Sequence, residues 1–270
     1  MTLDLIKMQG AGNDYLFFDG FLKTLPKNPR ALARRISPRQ NGIGADGLVL
    51  MLPSAVADAK MLMFNSDGSE GKMCGNAIRC MGNYLFQKQE EKNILQIETL
   101  SGIKTLYRHK GENCVLVNMG KAVLGATKRA GVPFFLRLGG VLAYPVSVGN
   151  PHLVCFGKEG DFELLERLFL VANRLACFPL GVNVEMAIQK DETTAQVRVI
   201  ERGSGETLSC GTGAVAVAAV GMGLGYFSPQ KPIALQFKGG HLIVKQDKTG
   251  DFWLTGDTKT VYEGRFEIED

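Results

Sequence analysis

The chain has 270 residues, of which 45% are hydrophobic and 21% charged, and 33 of them are glycines. This composition is typical of a globular protein with room for two domains, and the glycines follow no short period, which excludes collagen-like and low-complexity chains. The net charge of +4 comes from scattered basic residues, so we expect neither nucleic acid nor a membrane as a partner.

The N-terminal residues 1–7 lack a basic segment followed by a long apolar one, so we expect no secretion signal and predict a cytoplasmic protein. The most apolar stretch, 214–227, is too short to span a bilayer and contains three glycines. In this setting the six cysteines are expected to be thiols rather than a disulfide framework.

Hydrophobic periodicity predicts both helices and strands. In chain order these are helix 29–36, strand 48–52, helix 77–87, strands 94–98 and 114–117, helix 162–173, strand 195–200, helix 213–223, and strands 233–237 and 242–244. The helix at 213–223 is apolar on every side, as expected of a helix that a sheet encloses.

Three short motifs recur at nearly one offset. The motif at 12–14 recurs at 149–151, and the motif at 43–46 recurs at 180–183, both 137 positions later. Cys74-Gly75-Asn76 recurs 136 positions later as Cys210-Gly211-Thr212. Each cysteine also follows a glutamate by four positions, Glu70 and Glu206. The repetition indicates a duplicated half of roughly 135 residues, which is a normal domain size.

From these patterns we predict an α+β fold of two pseudo-symmetric halves, with the active site in the cleft between them. Each half is expected to be a sheet or barrel wrapped around one central apolar helix. The first half covers residues 1–122, with the C-terminal strand 258–270 as a candidate completion, and the second covers 123–257. The boundary is predicted between residues 120 and 131.

Both repeated cysteines stand where a polar, glycine-rich loop meets an apolar helix. A thiolate at a helix N-terminus is stabilised by unpaired N–H groups and the helix dipole, so its pKa is expected to fall from about 8.5 toward neutrality. Two such helices aimed at one point would bind a carboxylate and stabilise the charge that develops when the neighbouring α-proton leaves. Cys74 and Cys210 could then remove and return that proton on opposite faces, and we predict that neither pyridoxal phosphate nor a metal is required.

Structural roles compete with this interpretation at other positions. A single cysteine is most often a small buried hydrophobe, which we expect of Cys80, Cys114, Cys155 and Cys177. His152 has no metal-ligand spacing around it, but its place in the repeat allows it to tune a thiol. Glu70 and Glu206 are compatible with capping or solvated positions, and Glu201 and Arg202 with surface ion pairs. In a cleft, Arg202 would suit a bidentate contact with a second carboxylate.

Over nearly its whole length the sequence resembles the diaminopimelate epimerases. The motifs that carry the resemblance are 12–15, 42–47, 65–80, 149–152, 181–183 and 201–213. Membership implies conversion of LL-2,6-diaminopimelate to the meso form, a step of lysine and peptidoglycan precursor biosynthesis. One departure is Tyr15, which stands where phenylalanine is more common.

The resemblance also implies roles for individual residues. Cys74 and Cys210 become proton acceptor and donor, and the backbone around Gly75-Asn76 and Gly211-Thr212 holds the reacting carboxylate. His152 and Glu201 adjust the cysteines and help to position the reacting ammonium group. The family forms homodimers, and Tyr262 stands where an interface tyrosine is expected. The residues implied to line the substrate site and hold its far end are Asn13, Asn65, Asn150, Asn183 and Arg202.

Two alternatives stay open. One is another cofactor-free amino-acid racemase of the same fold, acting for example on histidine or proline, although a small substrate has no distal carboxylate for the asparagines and Arg202. The other is a dithiol redox protein or thiol-dependent metal protein, for which the spacing of Cys74 and Cys80 is wrong.

Overall fold

A computed structural model describes residues 2–21, 25–109, 114–125 and 135–267. The chain divides into two compact units, one formed by Met1–Val117 with Gly256–Asp270 and the other by Asn118–Thr255. Half of the segment in which the boundary was predicted, residues 126–131, and the last three residues of the predicted terminal strand lie outside the described residues.

The elements are strands with few helices between them. In chain order they are β1 (Thr2–Gly10), β2 (Asn13–Asp19), α1 (Pro29–Ile36), β3 (Gly47–Leu52), β4 (Ala59–Asn65), β5 (Glu70–Gly71), α2 (Gly75–Lys88), β6 (Ile94–Glu98), β7 (Lys104–Arg108), β8 (Val115–Gly120), β9 (Val123–Leu124), β10 (Leu136–Leu138), β11 (Val141–Ser147), β12 (Pro151–Gly157), a 3₁₀ turn (Asp161–Leu164), α3 (Leu165–Ala172), β13 (Asn183–Asp191), β14 (Thr194–Glu201), β15 (Gly205–Thr207), α4 (Gly211–Gly223), β16 (Ile233–Phe237), β17 (Gly240–Gln246), β18 (Phe252–Gly256) and β19 (Thr258–Glu267).

In the first unit β1 pairs antiparallel with both β19 and β2, and β2 pairs parallel with β3. The sheet continues through β4, which also carries β5, to a short parallel pairing with β6 and then to antiparallel β7 and β8. The parallel step from β2 to β3 needs a crossover, which α1 supplies. Asn28 caps α1 through an Ala31 N–H···Oδ1 bond of 3.1 Å, and Leu32 and Ile36 pack into the core beside Leu48.

Helix α2 packs against β1, β2, β7 and β19. Every residue from Gly75 to Gly82 is buried, as are Leu85 and Phe86. Close packing is possible because Gly82 has no side chain, since a Cβ there would lie 2.4 Å from Cδ2 of Leu106 on β7. The helix begins directly after Cys74, which is its N-cap.

The second unit contains a sheet with the same succession of pairings. Antiparallel β10, β11 and β12 lead to a parallel pairing of β12 with β13, antiparallel β14, a parallel step to β16 and antiparallel β17. Strand β9 joins β11, and β15 joins β14. Helix α3 covers this sheet through Leu165, Leu168 and Ala172, which pack with Leu153 and Val184.

Helix α4 packs against β11, β12, β13 and β17. Gly211 and every residue from Gly213 to Gly221 are buried, so the helix presents no polar face to solvent. Its N-cap is Cys210. The two cysteines singled out in the sequence therefore occupy the same structural position in their respective units.

The predicted mixture of many strands and few helices is confirmed. The single helix predicted over 162–173 is a 3₁₀ turn followed by α3, because the chain enters it through Gly160 in the left-handed region (φ 95°) and tightens before the α-helix begins. No helix among the described residues is both long and apolar enough to cross a membrane.

Candidate active site

Cys74 lies half-buried at the start of α2, in extended conformation (φ −127°, ψ 124°). Its Sγ is 3.3 Å from the hydroxyl of Tyr15 on β2, within hydrogen-bonding distance. Tyr15 therefore contacts a candidate catalytic atom through the hydroxyl group that phenylalanine lacks, a contact that the sequence analysis did not predict. The signal was in the repeat, because Tyr15 follows Asn13 by two positions, as His152 follows Asn150.

The predicted substrate residues of the first unit stand at the start of β2, at the end of β4 and in the first turn of α2. Asn13 and Asn76 are buried, and Asn65 donates through Nδ2 to Ser69 Oγ at 2.9 Å. Gly75 is the first residue of α2 and accepts a hydrogen bond at its carbonyl from Arg79. The arrangement gives α2 an N-terminus lined by amide groups and close to a thiol.

An ion-pair network anchors the Asn13 loop. Asp14 pairs with Lys7 at 2.8 Å and with Arg39 at 2.6 Å, while Asp46 accepts from the Asp14 N–H at 3.2 Å. Burial opposes ionisation of Asp14, but hydrogen bonds from Arg39 and Lys7 lower its pKa overall. Burial and the charge of Asp14 raise the pKa of Asp46. The network fixes the start of β2 beside Asn13.

Cys210 occupies the N-cap of α4 and is only 5% exposed. Its Sγ accepts from the Gly213 N–H at 3.4 Å and donates to Oε2 of Glu201 at 3.3 Å. The Oγ1 atom of Thr212 lies 3.4 Å from the same sulfur. Glu201, whose other carboxylate oxygen accepts from Thr207 at 2.5 Å, is thus in direct contact with the thiol.

The expectation that the helix end lowers the pKa of both cysteines is wrong for Cys210. Burial raises its pKa well above the ordinary value, and the carboxyl groups of Glu201 and Glu185 add to the rise. Hydrogen bonds from Thr212 and Gly213 act in the opposite direction and do not compensate. Burial also raises the pKa of Glu201. Cys210 is therefore set to carry a proton when no substrate is bound.

His152 is fully buried and belongs to a chain of hydrogen bonds that ends near Cys210. Its Nδ1 lies 2.6 Å from Oε1 of Glu185, and its Nε2 lies 3.1 Å from Oδ1 of Asn150. Asn150 in turn donates through Nδ2 to Thr212 Oγ1 at 3.4 Å. The chain connects His152 to Thr212, whose Oγ1 lies beside the Cys210 sulfur.

Sequence reasoning missed Glu185, which is fully buried on β13 and binds His152. A Cβ on Gly213 would lie 2.7 Å from its Oε1, so the carboxyl group sits directly against the first turn of α4. The only available signal in the sequence was a lone glutamate in the otherwise apolar run 184–188, since an unpaired carboxylate is rarely buried.

Asn183 and Arg202 are brought together in the second unit. Oδ1 of Asn183 accepts from the backbone N–H of Arg202 at 2.9 Å, while the exposed guanidinium of Arg202 donates to the carbonyl of Leu180. The arginine is thus held at the turn after β14, with its charge in solvent.

The two matched glutamates form surface ion pairs. Glu70 pairs with Arg30 at 2.6 Å, and Glu206 pairs with Arg198 at 2.6 Å and Lys238 at 2.9 Å. Their places in the repeat therefore reflect the matching short strands β5 and β15 and not contact with either thiol.

All six cysteines are free thiols. Burial raises the pKa of both Cys80 and Cys155 to about 12, which suits inert core residues. Cys114 and Cys177 are only half-buried, and Cys114 lies 3.7 Å from Oδ1 of Asp257. Within the described part of the chain, no three or more His, Cys, Asp and Glu side chains are grouped so as to hold a metal ion.

Tyr262 lies on β19, with 36% of its surface exposed. Its ring centroid is 6.2 Å from that of Phe266 and 6.0 Å from Nζ of Lys7. Neighbouring Val261 is 50% exposed. Strand β19 therefore offers apolar surface to solvent.

Solved structures share the fold of this chain. A predicted epimerase from Pseudomonas aeruginosa superposes with a TM-score of 0.73 at 18% identity, covering 99% of this chain and 100% of that one. A hydroxyproline epimerase from Agrobacterium vitis, with bound trans-4-hydroxy-L-proline, superposes with a TM-score of 0.69 at 14% identity, covering 100% and 93%. At such identities the likeness shows the fold alone.

Sequence relatives span the whole chain. It is 40% identical to a diaminopimelate epimerase of Methanococcus maripaludis over 97% of this chain and 99% of the relative, and 38% identical to one of Acetivibrio thermocellus over 98% of each. With this fold and these relatives, the protein is an isomerase of the epimerase class. The sequence profile of diaminopimelate epimerase matches residues 5–125 and 144–261, and the chain belongs to that family.

Proposed function

We propose that the protein interconverts LL-2,6-diaminopimelate and meso-diaminopimelate by proton transfer at Cα, with Cys74 and Cys210 as the two catalytic groups. The observation that carries the proposal is the position of these cysteines. Each is the N-cap of a buried helix, in a chain that belongs to the diaminopimelate epimerase family.

The chemistry follows from a thiolate and a thiol on opposite faces of one carbon. The thiolate takes the Cα proton, and the electron pair left on Cα delocalises into the adjacent carboxylate, which the N–H groups of the two helix ends stabilise. The thiol on the other face then delivers its own proton to Cα, which inverts the centre. The two sulfurs finish with exchanged protonation states, so the reverse reaction uses them in exchanged roles.

The remaining residues bind the two ends of the substrate. In this proposal Gly75-Asn76 and Gly211-Thr212 hold the reacting carboxylate, while His152 and Glu201 position the reacting ammonium group. The residues that line the site and hold the distal end are Asn13, Asn65, Asn150, Asn183 and Arg202. The hydrogen-bond chain from Glu185 to Thr212 supports this assignment, because it fixes Asn150 without using all of its donors.

In this proposal two pseudo-symmetric halves, each a sheet around one central apolar helix, face each other across a cleft and bring the two thiols to opposite faces of the substrate carbon. Support comes from the succession of parallel and antiparallel pairings, which is the same in the two units when each is read by itself. Burial of α4 on all sides also supports it. We further propose a cytoplasmic homodimer in which Tyr262 contributes to the interface.

The test is proton exchange at Cα, followed by NMR with LL-diaminopimelate in deuterated buffer without added cofactor. We expect deuterium to enter Cα with inversion, and we expect inversion to be lost in both Cys74→Ala and Cys210→Ala. Cys177→Ala is the matched control, because Cys177 is also a half-buried thiol but does not cap a helix.

Each other outcome is decisive. Exchange with proline or histidine but not with diaminopimelate would keep the chemistry and overturn the substrate. Full inversion in either catalytic-cysteine variant would overturn the two-base scheme. Absence of exchange with every amino acid tested would leave the dithiol redox alternative.

A further inference from the structure

A guanidinium group is completely buried in the second turn of α2. Arg79 is 0% exposed, and its Nη1 donates to the carbonyl of Gly75 at 3.0 Å. Among the residues that the structure describes, neither its Nε nor its Nη2 has a hydrogen-bond partner. A buried cation near the N-terminus of a helix also opposes the helix dipole. Such a group is costly unless an anion lies near it.

The candidate anions around Arg79 are few. The ionisable groups within electrostatic reach are Cys74 and Cys80 on its own helix, and Cys114 and Asp257 from neighbouring segments. Burial raises the pKa of Cys80 to about 12, so Cys80 remains a thiol. Asp257 is exposed to water and accepts from the thiol of Cys114 at 3.7 Å, which makes Cys114 the donor of that contact.

The strands packed against α2 bring uncharged residues to this part of the helix. Strand β1 approaches through Gly10, where a Cβ would lie 3.4 Å from both Arg79 Nη2 and Cys80 Sγ. Strand β7 presents Leu106 to the helix, and β2 presents Tyr15 to Cys74. On β19 the residue that follows Asp257 is the buried Thr258.

We propose that Arg79 is a positioning residue that holds Cys74 in its thiolate form, by placing a buried positive charge behind the N-terminus of α2. The role of Arg79 in turnover rests on the proposed function, whereas the effect of Arg79 on the ionisation of Cys74 does not. Helix α4 has no arginine at the position equivalent to Arg79. Arg79 lies five positions after Cys74, and the residue five positions after Cys210 is the buried Val215. Cys210 instead faces Glu201 and Glu185. The resting enzyme therefore carries the thiolate on Cys74 and the proton on Cys210.

The test measures each thiol directly. Full-length protein is alkylated with iodoacetamide across a range of pH, and the rate at each cysteine is followed by peptide mass spectrometry. In the wild type we expect Cys74 to ionise below the ordinary thiol midpoint of about 8.5. In Arg79→Met we expect its midpoint to rise by at least about one unit, which reduces thiolate about tenfold at neutral pH. Arg79→Lys should restore most of the reactivity.

Arg108→Met is the matched control for structural damage. Arg108 donates to the carbonyls of Phe86 and Gln89 at the opposite end of the same helix, so its loss also disturbs α2 without removing charge near a catalytic thiol. This variant should leave the Cys74 profile unchanged. The Cys210 profile, read from the same samples, should not move in any of the variants.

Two results would overturn the proposal. The first is a wild-type Cys74 that ionises at or above the ordinary thiol midpoint, which needs no variant to observe. The second is the same Cys74 profile in folded Arg79→Met as in the wild type. If the Cys74 profile shifts as expected but diaminopimelate is not epimerised, the proposed function fails and the role of Arg79 stands.

Discussion

At the scale of the residue, Cys210 shows two physical effects acting on one sulfur. The end of α4 supplies an N–H donor, but burial and two carboxyl groups favour the thiol and prevail. A helix N-terminus is therefore not sufficient to activate a cysteine when water is excluded and negative charge lies near. In the proposed mechanism, the proton on Cys210 is the one delivered to the substrate carbanion.

Neutralising Glu201 should make Cys210 easier to ionise. Burial, the largest cause of the raised pKa of Cys210, remains in Glu201→Gln. The second largest cause, the charge of Glu201, is removed, so the pKa of Cys210 should fall. The effect should appear only above the pH at which wild-type Glu201 loses its proton, which burial has raised. Alkylation rates against pH, read at Cys210, measure the change.

Glu206→Gln provides the control, because Glu206 lies on β15, four residues before Cys210, but is paired with Arg198 and Lys238 at the surface. That variant should leave the Cys210 profile unchanged. An unaltered profile in Glu201→Gln would show that the charge of Glu201 does not reach the sulfur.

The ion pairs of Glu206 should make the free energy of unfolding depend on pH. Hydrogen bonding from Arg198 and then Lys238 lowers its pKa from 4.5 to about 2, so the folded state holds the carboxylate more tightly than the unfolded state. The stabilisation is therefore complete above pH 4.5 and is lost as the pH falls toward about 2. Because the side chain is 32% exposed and screened by water, we expect about 1 kcal/mol.

Urea unfolding of Glu206→Gln and wild type at pH 7 and near pH 2 checks this expectation. The variant should be less stable at pH 7, and the difference should shrink at the lower pH. If Glu206→Gln were less stable than the wild type by the same amount at both pH values, the lost stability would come from packing and not from the charge of Glu206.

How much of the site could be predicted from sequence differs between residues. Cys74 and Cys210 were found because their loops are local patterns that occur twice. Glu185 and Arg79 were missed because their roles depend on burial and on partners that only the fold supplies. Glu185 contacts a histidine 33 positions away, and Arg79 is polar within a helix whose outer face should be polar.

At the scale of the element, the bounds predicted from sequence are most accurate where local signals act. Helix α1 and strands β6 and β16 have the predicted bounds, and α1 does so because Asn28 caps it and Pro29 is well placed in its first turn. Strand β2 was not predicted, because six of its seven residues are buried and the run shows no alternation.

The two glycines near the end of α4 should respond differently to alanine. A Cβ at Gly221 would lie 2.2 Å from Cδ2 of the buried Phe227, whereas one at Gly223 would lie 2.9 Å from the end of the flexible Leu124 side chain. Gly221→Ala should destabilise the protein by about 1–3 kcal/mol through overpacking. Gly223→Ala should be neutral or stabilising by up to about 1 kcal/mol, because alanine favours the helix.

Urea denaturation of both variants measures these differences, and each variant serves as the control for the other. Equal stability changes in the two would show that helix propensity, and not contact with Phe227, decides the outcome.

At the scale of the whole molecule, the sequence indicated many strands and few helices but not their pairing. The parallel steps from β2 to β3 and from β12 to β13 each join strands separated by a helix, and nothing local in the sequence specifies them. The repeat is a long-range signal, which is why it predicted corresponding positions for two cysteines that lie in different halves of the chain.

Self-association should depend on strand β19. Exposed Val261 and Tyr262 give it an apolar surface that burial against a second copy would stabilise. We expect wild type to sediment as a dimer and Tyr262→Ala to shift toward monomer at the same concentrations. Tyr107→Ala, which removes a similarly exposed tyrosine from β7, should remain dimeric. A monomeric wild type, or a Tyr262→Ala variant that associates like wild type, would contradict this expectation.

The contact between Gly213 and Glu185 constrains how this sequence can evolve. With a side chain at 213, a Cβ would lie 2.7 Å from the glutamate Oε1, so the two positions are not free to change independently. Alanine at 213 would require Glu185 to shift, which would disturb its 2.6 Å contact with His152, or to be replaced by a shorter residue. We therefore expect positions 185 and 213 to change together in descendants of this chain.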